Sequence, residues 1–567
     1  MAMRRLGVLL STAALLAASA APAAVDRREA GALVMEDIPP IPAGIEERLR
    51  QYSNTRFARL AGWDPDGSGL YVTTRFGDTT QLHHVAKPGG ARRQLTFFSE
   101  PLGATATAPT GADAGVVYSR DAGGGEFYQL YHFDPTTGAS LLLTDGESRN
   151  GSPVWSNDGK RIAYYSTRRN GVDWDLYVGP VDDPDAARLV LDEGGTWFPM
   201  DFAAGDEELL VARYVSINES HFFVLDLESG ALEPIAAPST GDAKVSYDNA
   251  VFGATARQIY LTTDAGGEFL RLARFDRRDR SLHWITEGIP WNVDGLTVSD
   301  DGAQLAFTVN ENGLSRLYLL DTDSDRYRTV DGLPVAVIYD LEFRADGKAL
   351  AFTINGSRSP GDVYSLRLAD STLTRWTESE VGGLNTAALA EPELIHYETF
   401  DAVDGEPRRI PAFYYRPPAA KRKGGEPAPV IVVIHGGPEG QIRPYFFSSF
   451  HYYLNELGAA VIAPNVRGSA GYGKSYLKLD NGFKRKDSVK DIGALLEWIE
   501  AQPELDADRV AVSGGSYGGY MVLATMVDYN ERVACGIDRV GISNCVTFLE
   551  NTKDYRRDLR REEYGDE

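Results

Sequence analysis

Arg509-Val510-Ala511-Val512-Ser513-Gly514-Gly515-Ser516-Tyr517-Gly518-Gly519-Tyr520 is the stretch whose reading decides the fold of this chain. Its first five residues form a short apolar run suited to a strand, and Met521 to Val527 suits a helix. A G-x-S-x-G between a strand and a helix is the setting of a nucleophile elbow. Gly514 and Gly518 remove the Cβ atoms that would clash in so tight a turn. The Ser516 hydroxyl then stands proud of the sheet edge, at a helix N-terminus whose dipole favours developing negative charge. Ser516 is the candidate nucleophile.

A second motif lies upstream. His435-Gly436-Gly437-Pro438 closes the apolar run Val430-Ile431-Val432-Val433-Ile434. A glycine loop at the end of an early strand supplies one oxyanion donor in an α/β-hydrolase, and the amide after the nucleophile supplies the other. Tyr517, Gly437 and His435 are therefore the candidate oxyanion residues, poised to hold the oxygen of a tetrahedral intermediate. His435 is not expected to be the base, because in this fold the base follows the serine in chain order. It is read as a donor or as the organiser of the Gly-Gly loop. Around these motifs the chain alternates: strand 430–434, helix near 446–457, strand 459–463, helix 488–501, strand 509–513, helix 518–529, strand 535–541. That alternation predicts a doubly wound α/β sheet. Asp487 or Ser488 is expected to N-cap the helix 488–501, which carries Ala494, Leu495 and Trp498. Arg485, Lys486 and Lys490 read as a solvated face.

Towards the N-terminus, residues 58–378 repeat a turn followed by a β-rich run. Asp66-Gly67 leads into Leu70-Tyr71-Val72, Ala112-Asp113 into Val116-Val117-Tyr118, and Asp158-Gly159 into Ile162-Ala163-Tyr164. Gly205-Asp206, Thr255-Ala256, Asp301-Gly302 and Asp346-Gly347 open the later units, at successive steps of 46, 46, 47, 50, 46 and 45 residues. A period near 45 with four short strands per unit predicts seven blades of a closed β-propeller. Trp63, Trp155 and Trp174 recur near the turns and are expected to pack between blades. Residues 24–57 are read as an N-terminal segment with a short helix, in which Ile45, Leu49 and Tyr52 share a face. Residues 379–428 are a linker and a hairpin around Asp404-Gly405, and residues 429–567 the hydrolase domain.

Composition narrows the function. A formal charge of −24 argues against nucleic acid as a partner and predicts repulsion from anionic membranes. Met1-Ala2-Met3-Arg4-Arg5, the apolar run Leu6–Ala17 and the A-x-A sites at 18–20 and 21–23 read as a secretory signal peptide over residues 1–23. The expectation is an exported, periplasmic or extracellular protein with no stable membrane insertion. The two cysteines, Cys535 and Cys545, are read as buried free thiols, Cys535 in a buried strand. No metal-ligand spacing and no cofactor signature is present.

His435-Gly436-Gly437-Pro438, Asn465-Val466-Arg467-Gly468-Ser469-Ala470-Gly471-Tyr472-Gly473 and Gly514 to Tyr520 together resemble the prolyl oligopeptidase family of serine peptidases. The Gly-Gly-Ser-Tyr-Gly-Gly-Tyr form is most similar to its acylaminoacyl-peptidase-like branch. The resemblance covers most of residues 30–567 and is strongest from 430 to 550. It implies a propeller joined to an α/β-hydrolase domain, with short peptides as substrates and the propeller excluding folded proteins. The chain departs from the family pattern after Ser516. His451 is the last of eight histidines, whereas the fold's order is serine, acid, histidine. Asp554 and Asp558 lie in the charged stretch Thr552–Glu567, read as a solvated helix or loop, and neither is taken as the triad acid. The expectation is a hydrolase domain incomplete at its C-terminus, with acid and base absent from these residues. Two rivals stand beside the peptidase: an esterase on the same core, and a propeller-based binding protein with an inactive hydrolase remnant.

Overall fold

A computed structural model describes residues 25–31, 33–109, 115–235, 244–421, 425–552 and 554–565. The expected signal peptide and the Ala112-Asp113 turn lie outside the described residues. The chain divides into two compact units at Arg50. The first holds an antiparallel hairpin, Arg27–Ala30 with Leu33–Glu36, and the opening turns of the helix Ala43–Ser53. Ile45 and Leu49, expected to share a buried face with Tyr52, are exposed; only Tyr52 is buried. The second unit begins at Gln51, and its Tyr52 lies edge-on to Tyr452 and donates a 2.8 Å hydrogen bond to Glu456.

Seven four-stranded antiparallel sheets follow, from Arg59–Trp63 in the first blade to Thr372–Arg375 in the seventh. The turns explain the recurring Asp-Gly. Gly67, Gly159, Gly302 and Gly347 all take φ between 65° and 69°, a left-handed conformation that costs a residue without Cβ little. Blade four has no glycine at that position, and Asp206 itself turns at φ 62°. The ring closes side by side, since each blade is one contiguous stretch. Arg59 of blade one forms a two-pronged pair with Asp340 of blade seven, at 2.9 and 2.8 Å. Leu60, Leu70 and Val72 pack with Ala349, Ala351 and Val363 across the same seam. Trp63 donates its indole N–H to the Glu342 carbonyl of blade seven, and Trp155 of blade three donates to Ala106 of blade two. Trp174 of blade three stacks on Tyr165 and meets Phe198 of blade four edge-on. All three tryptophans thus work between blades or beside a seam. Where the chain enters and leaves the ring, Thr55–Arg56 pairs with Glu380–Val381.

The hairpin Glu393–Val403 and Glu406–Tyr415 is not a free linker. It forms the first two strands of a six-stranded sheet, followed in space by Ala460–Pro464, Ala428–Ile434, Leu505–Gly515 and Cys535–Arg539. The last four strands are mutually parallel. The helix Arg485–Glu500 buries Val489, Ile492, Leu495, Leu496 and Ile499 against this sheet, the i, i+3, i+4, i+7 stripe of a core-facing helix. The helix expected near 446–457 is two short turns, Ser448–Tyr452 and a wider one over Tyr453–Leu457, ended by Gly458 at φ 64°.

Three local expectations are corrected. The helix begins at Arg485, so Asp487 and Ser488 lie inside its first turn, and its cap residue Lys484 makes no side-chain cap bond. Arg485 is buried against Asp480 rather than solvated; an opposite charge inside the protein holds it there. Cys535 is exposed, on an outer strand exposed along its whole length, and Cys545 is half-buried in the helix Cys545–Glu550. The apolar look of that strand reflected its place in a parallel sheet, and its edge position leaves it uncovered.

Candidate active site

The two motifs leave neighbouring parallel strands at the same level. Ile434 lies opposite Gly514 in the register, so His435 and Gly515 step off the sheet side by side, at the carboxyl ends where open α/β sheets build their sites. Ser516 follows with φ 56° and ψ −121°, a strained conformation of the kind that persists only when its surroundings enforce it. The enforcement is visible. The Ser516 N–H donates to the Arg539 carbonyl at 3.0 Å, and the Ser516 carbonyl accepts from the Tyr520 N–H at 3.1 Å, starting the helix Tyr517–Asp528. A Cβ on Gly514 would lie 2.3 Å from the Gly518 carbonyl oxygen, and one on Gly518 would lie 2.3 Å from that of Ile434. Gly519 is needed as well: its Cβ would lie 2.2 Å from Asp538 Oδ1. The Ser516 side chain is exposed.

The oxyanion candidates come together at this corner. A Cβ built on Gly436 would lie 3.4 Å from Ser516 Cβ and 3.7 Å from the Tyr517 amide nitrogen. Gly437 takes φ 137°, and a Cβ there would lie 2.4 Å from the Gly440 nitrogen. His435 is an organiser. Its Nδ1–H donates to the Gly436 carbonyl at 2.9 Å, and its Nε2 meets the Ser469 hydroxyl at 2.8 Å. Burial holds its pKa below the usual imidazole range, which favours the neutral ring, and the Ser469 hydroxyl at Nε2 also reaches the Val466 carbonyl at 2.6 Å. Both nitrogens are engaged away from Ser516. His451 is buried and donates to the Ser357 carbonyl at 2.6 Å.

The loop Asn465–Gly473 packs against the His435 loop. Buried Asn465 accepts from the Ile442 N–H at 2.7 Å and donates to the Ile442 carbonyl at 3.0 Å. Arg467 is buried between Asp491, at 2.8 Å, and Asp401, also at 2.8 Å. Sequence reasoning saw this motif only as part of a resemblance. It missed entirely the buried polar group beneath Tyr517: Asp480, Arg485 and Ser488. Asp480 and Arg485 pair at 2.6 Å, while burial still pushes the Asp480 carboxyl up to about 6. Nothing in the local pattern marks these side chains as inward-facing; only the tertiary contact does.

The charged stretch after Thr552 is a helix, Asp554–Tyr564, and its last turn is not solvated. Arg560 and the Tyr564 hydroxyl both donate to the Gly437 carbonyl, at 3.2 and 3.3 Å. Glu563 is buried and faces Glu439, whose carboxyl burial and the neighbouring Glu563 push up to about 8. The side chains of Asp554 and Asp558 lie outside the described residues.

Hydrolase loops and propeller enclose a cavity of about 990 Å³, lined by Tyr214, Asp248, Asp294 and Tyr339 from blades and by Arg443 and Lys474 from the hydrolase. Arg443 pairs with Asp294 at 2.6 Å and donates to the Gly313 carbonyl and the Ser315 hydroxyl. Lys474 pairs with Asp264 at 2.8 Å. Asp248 is solvent-exposed at the cavity wall, and the protein around it, with Asp294 beside it, raises its carboxyl above the usual range. Among the described residues no group of three His, Cys, Asp or Glu side chains is disposed to hold a metal ion, and no helix is long and apolar enough to cross a membrane.

Sequence profiles match in two places: the Prolyl oligopeptidase, N-terminal beta-propeller domain over residues 102–379, and the Prolyl oligopeptidase family over residues 445–567. The chain belongs to the prolyl oligopeptidase family of serine peptidases. A dipeptidyl aminopeptidase BIII of Pseudoxanthomonas mexicana is 25% identical over 464 residues, covering 78% of this chain and 63% of its own length. An uncharacterized peptidase YuxL of Bacillus subtilis (strain 168) is 24% identical over 535 residues, covering 86% of this chain and 73% of its own. Among solved structures, a prolyl endopeptidase superposes with a TM-score of 0.78 at 17% identity, covering 93% of this chain and 78% of the other. A puromycin hydrolase superposes with a TM-score of 0.76 at 17% identity, covering 93% and 83%. At such identities the structures speak to the fold: a seven-bladed propeller with an α/β-hydrolase domain.

Proposed function

We propose that this protein hydrolyses short peptides, with Ser516 attacking the scissile carbonyl to form an acyl-enzyme that water then releases. The observation that carries the reading is the enforced turn at Ser516, which presents an exposed hydroxyl beside the Tyr517 amide and the Gly436-Gly437 loop. Tyr517 and the His435–Gly437 loop would hold the oxyanion, His435 by fixing the loop rather than by proton transfer. A serine hydroxyl needs a base, and among the described residues of the hydrolase His435 and His451 are both committed elsewhere. The propeller would act as a size filter, since the cavity lies between its blades and the hydrolase loops. Export, with residues 1–23 removed, completes the proposal; it rests on the charge and hydropathy pattern of the first residues.

The test is turnover of a panel of chromogenic di- to tetrapeptides, with free and blocked amino termini, by the protein and by its Ser516→Ala variant, beside a folded protein substrate. The reading expects any peptide cleavage, slow where no imidazole reaches Ser516, to be abolished by Ser516→Ala, and no cleavage of the folded protein. Ester turnover without peptide turnover would replace the peptidase with an esterase. Turnover that survives Ser516→Ala would move the nucleophile elsewhere.

A further inference from the structure

We propose that Asp480, Ser488 and Ser469 are positioning residues that fix the separation between the two halves of the oxyanion-binding backbone. This rests on the reading of Ser516 as nucleophile. The residue whose amide would receive the oxyanion, Tyr517, has a fully buried side chain that runs down into the domain. Its hydroxyl donates to Asp480 Oδ2 at 3.1 Å and lies 2.8 Å from the Ser488 hydroxyl, which itself donates to the Arg485 carbonyl at 2.7 Å. Asp480 also accepts from Arg485 at 2.6 Å, and that guanidinium lies over the rings of both Tyr517 and Tyr564, 5.0 Å from each centroid.

From Asp480 the contacts continue to the other half of the site. A Cβ on Gly468 would lie 2.1 Å from Asp480 Oδ1, so the carboxylate abuts the backbone there. The next residue is Ser469, whose hydroxyl meets His435 Nε2; His435 in turn holds the Gly436 carbonyl through Nδ1. Gly436 lies against Ser516 and the Tyr517 amide, which closes the circuit. The elbow, the Tyr517 side chain, Asp480, the Gly468-Ser469 loop, His435 and Gly436 form one ring of contacts. Loosening any link lets the Tyr517 amide and the Gly436-Gly437 loop drift apart.

The make-up of the ring speaks for positioning over bulk stability. Asp480, Ser469, Ser488 and Tyr517 are all buried, and Asp480 Oδ1 has no hydrogen-bond partner among the described residues. A buried carboxylate with one oxygen unsatisfied is expensive, and apolar residues of similar volume would often hold a core together at less cost. A network of fixed hydrogen bonds does what apolar packing does poorly: it sets distance and direction. Oxyanion stabilisation depends on donors being held at the oxygen's position before reaction.

The test is saturation kinetics of fluorophosphonate labelling on the full chain, for the parent protein, Tyr517→Phe, Ser488→Ala, Ser469→Ala and Asp480→Asn. Tyr517→Phe removes one oxygen and keeps the ring, so it remains informative if Asp480→Asn folds poorly. Losing an oxyanion donor outright costs roughly 10²–10³-fold in rate; a donor that is displaced rather than lost is expected to cost about 10-fold. The maximal labelling rate should fall by that factor in Tyr517→Phe and Ser488→Ala, with the half-saturating probe concentration unchanged. Paired variants around the ring should be less than multiplicative, as residues of one network are. Labelled parent protein with unchanged maximal rates in the variants, or with rate and half-saturation shifting together, overturns the positioning role alone. A parent protein labelled at another residue, or not at all, overturns the Ser516 reading and this inference with it.

Discussion

Replacing Arg467 with methionine should unlock the hydrolase domain in a pH-dependent way. Arg467 is buried, and its guanidinium donates to Asp491 at 3.0 and 2.8 Å and to Asp401 at 2.8 Å. The two carboxylates are unequal. Asp401 is partly exposed and keeps Arg408 at 2.9 Å, so its share is small. Asp491 is wholly buried and would retain only the backbone N–H of residue 467, at 3.0 Å, and the Thr399 hydroxyl, at 2.7 Å. Removing one partner of a buried pair strands the other's charge, at a cost of about 3–5 kcal/mol.

Burial already raises the Asp491 pKa with arginine in place; without it the rise must be larger. A carboxyl whose folded pKa exceeds its unfolded value binds its proton more tightly when native, so the penalty is full at high pH and is relieved as pH falls through the folded pKa. Seven of the eight tryptophans lie between residues 63 and 376, in or beside the propeller, leaving Trp498 alone in the hydrolase, so bulk fluorescence would report the wrong domain. Amide exchange of peptides from Ala460–Pro464 and Leu505–Gly515 is the suitable assay. At pH 8 their protection should fall roughly 10²–10³-fold or more relative to the parent, after correction for intrinsic rates. The loss should be visibly smaller at pH 5.5, and Arg467→Met combined with Asp491→Asn should recover much of it. A loss below tenfold, or one equal at both pH values, would refute the stranded-charge argument.

Gly518→Ala should leave the propeller intact and cut Ser516 labelling at least about 10²-fold, because the new Cβ would lie 2.3 Å and 2.9 Å from the Ile434 and His435 carbonyl oxygens, backbone that cannot step aside cheaply; near-parent labelling would mean the elbow tolerates displacement. Glu342→Gln should stabilise the propeller at pH 8.5 by roughly 2–3 kcal/mol and at pH 5 by no more than about 1 kcal/mol. Burial pushes this carboxyl up to about 7, its ionisation above that pH costs stability, and glutamine can still accept from the Trp63 N–H, now 3.1 Å away. Thermal unfolding at the two pH values checks it, and an equal shift at both would count against ionisation as the cause.

The fold was legible because its signals are repeated or local. Seven turns at near-constant spacing reveal the blades without any single one being decisive, and blade four shows why: Asp206 supplies the left-handed turn that Gly67, Gly159, Gly302 and Gly347 supply elsewhere. The elbow was legible because its motif is contiguous, with Gly514 meeting Gly518 across one turn, even though Gly518 and Gly519 also answer the distant Ile434 carbonyl and Asp538. What escaped the sequence is what depends on distant partners. Arg485 and Lys490 sit on one helix in the same run of charges, yet Arg485 is buried against Asp480 while Lys490 reaches the solvent side with Asp487. Cys535 failed in the opposite sense. Its strand has the composition of a sheet interior, but burial depends on what lies beyond the sheet edge, which composition does not encode.

That division has a chemical consequence for the site. The groups that would react with substrate, Ser516 and the Tyr517 amide, are marked by a motif because their geometry is set by adjacent residues. The groups that hold them in register come from four separate stretches: the His435 loop, Gly468-Ser469, Asp480 to Ser488, and the last turn of the helix ending at Tyr564. Of these only the His435 loop is recognisable alone, since a buried serine or aspartate acquires its role only from the partner it meets. Arg467 belongs to this second class. It anchors the loop that brings Ser469 to His435, although it touches none of the oxyanion candidates. Its loss should therefore be read in two places at once: in the exchange of the parallel strands, and in the rate at which Ser516 reacts.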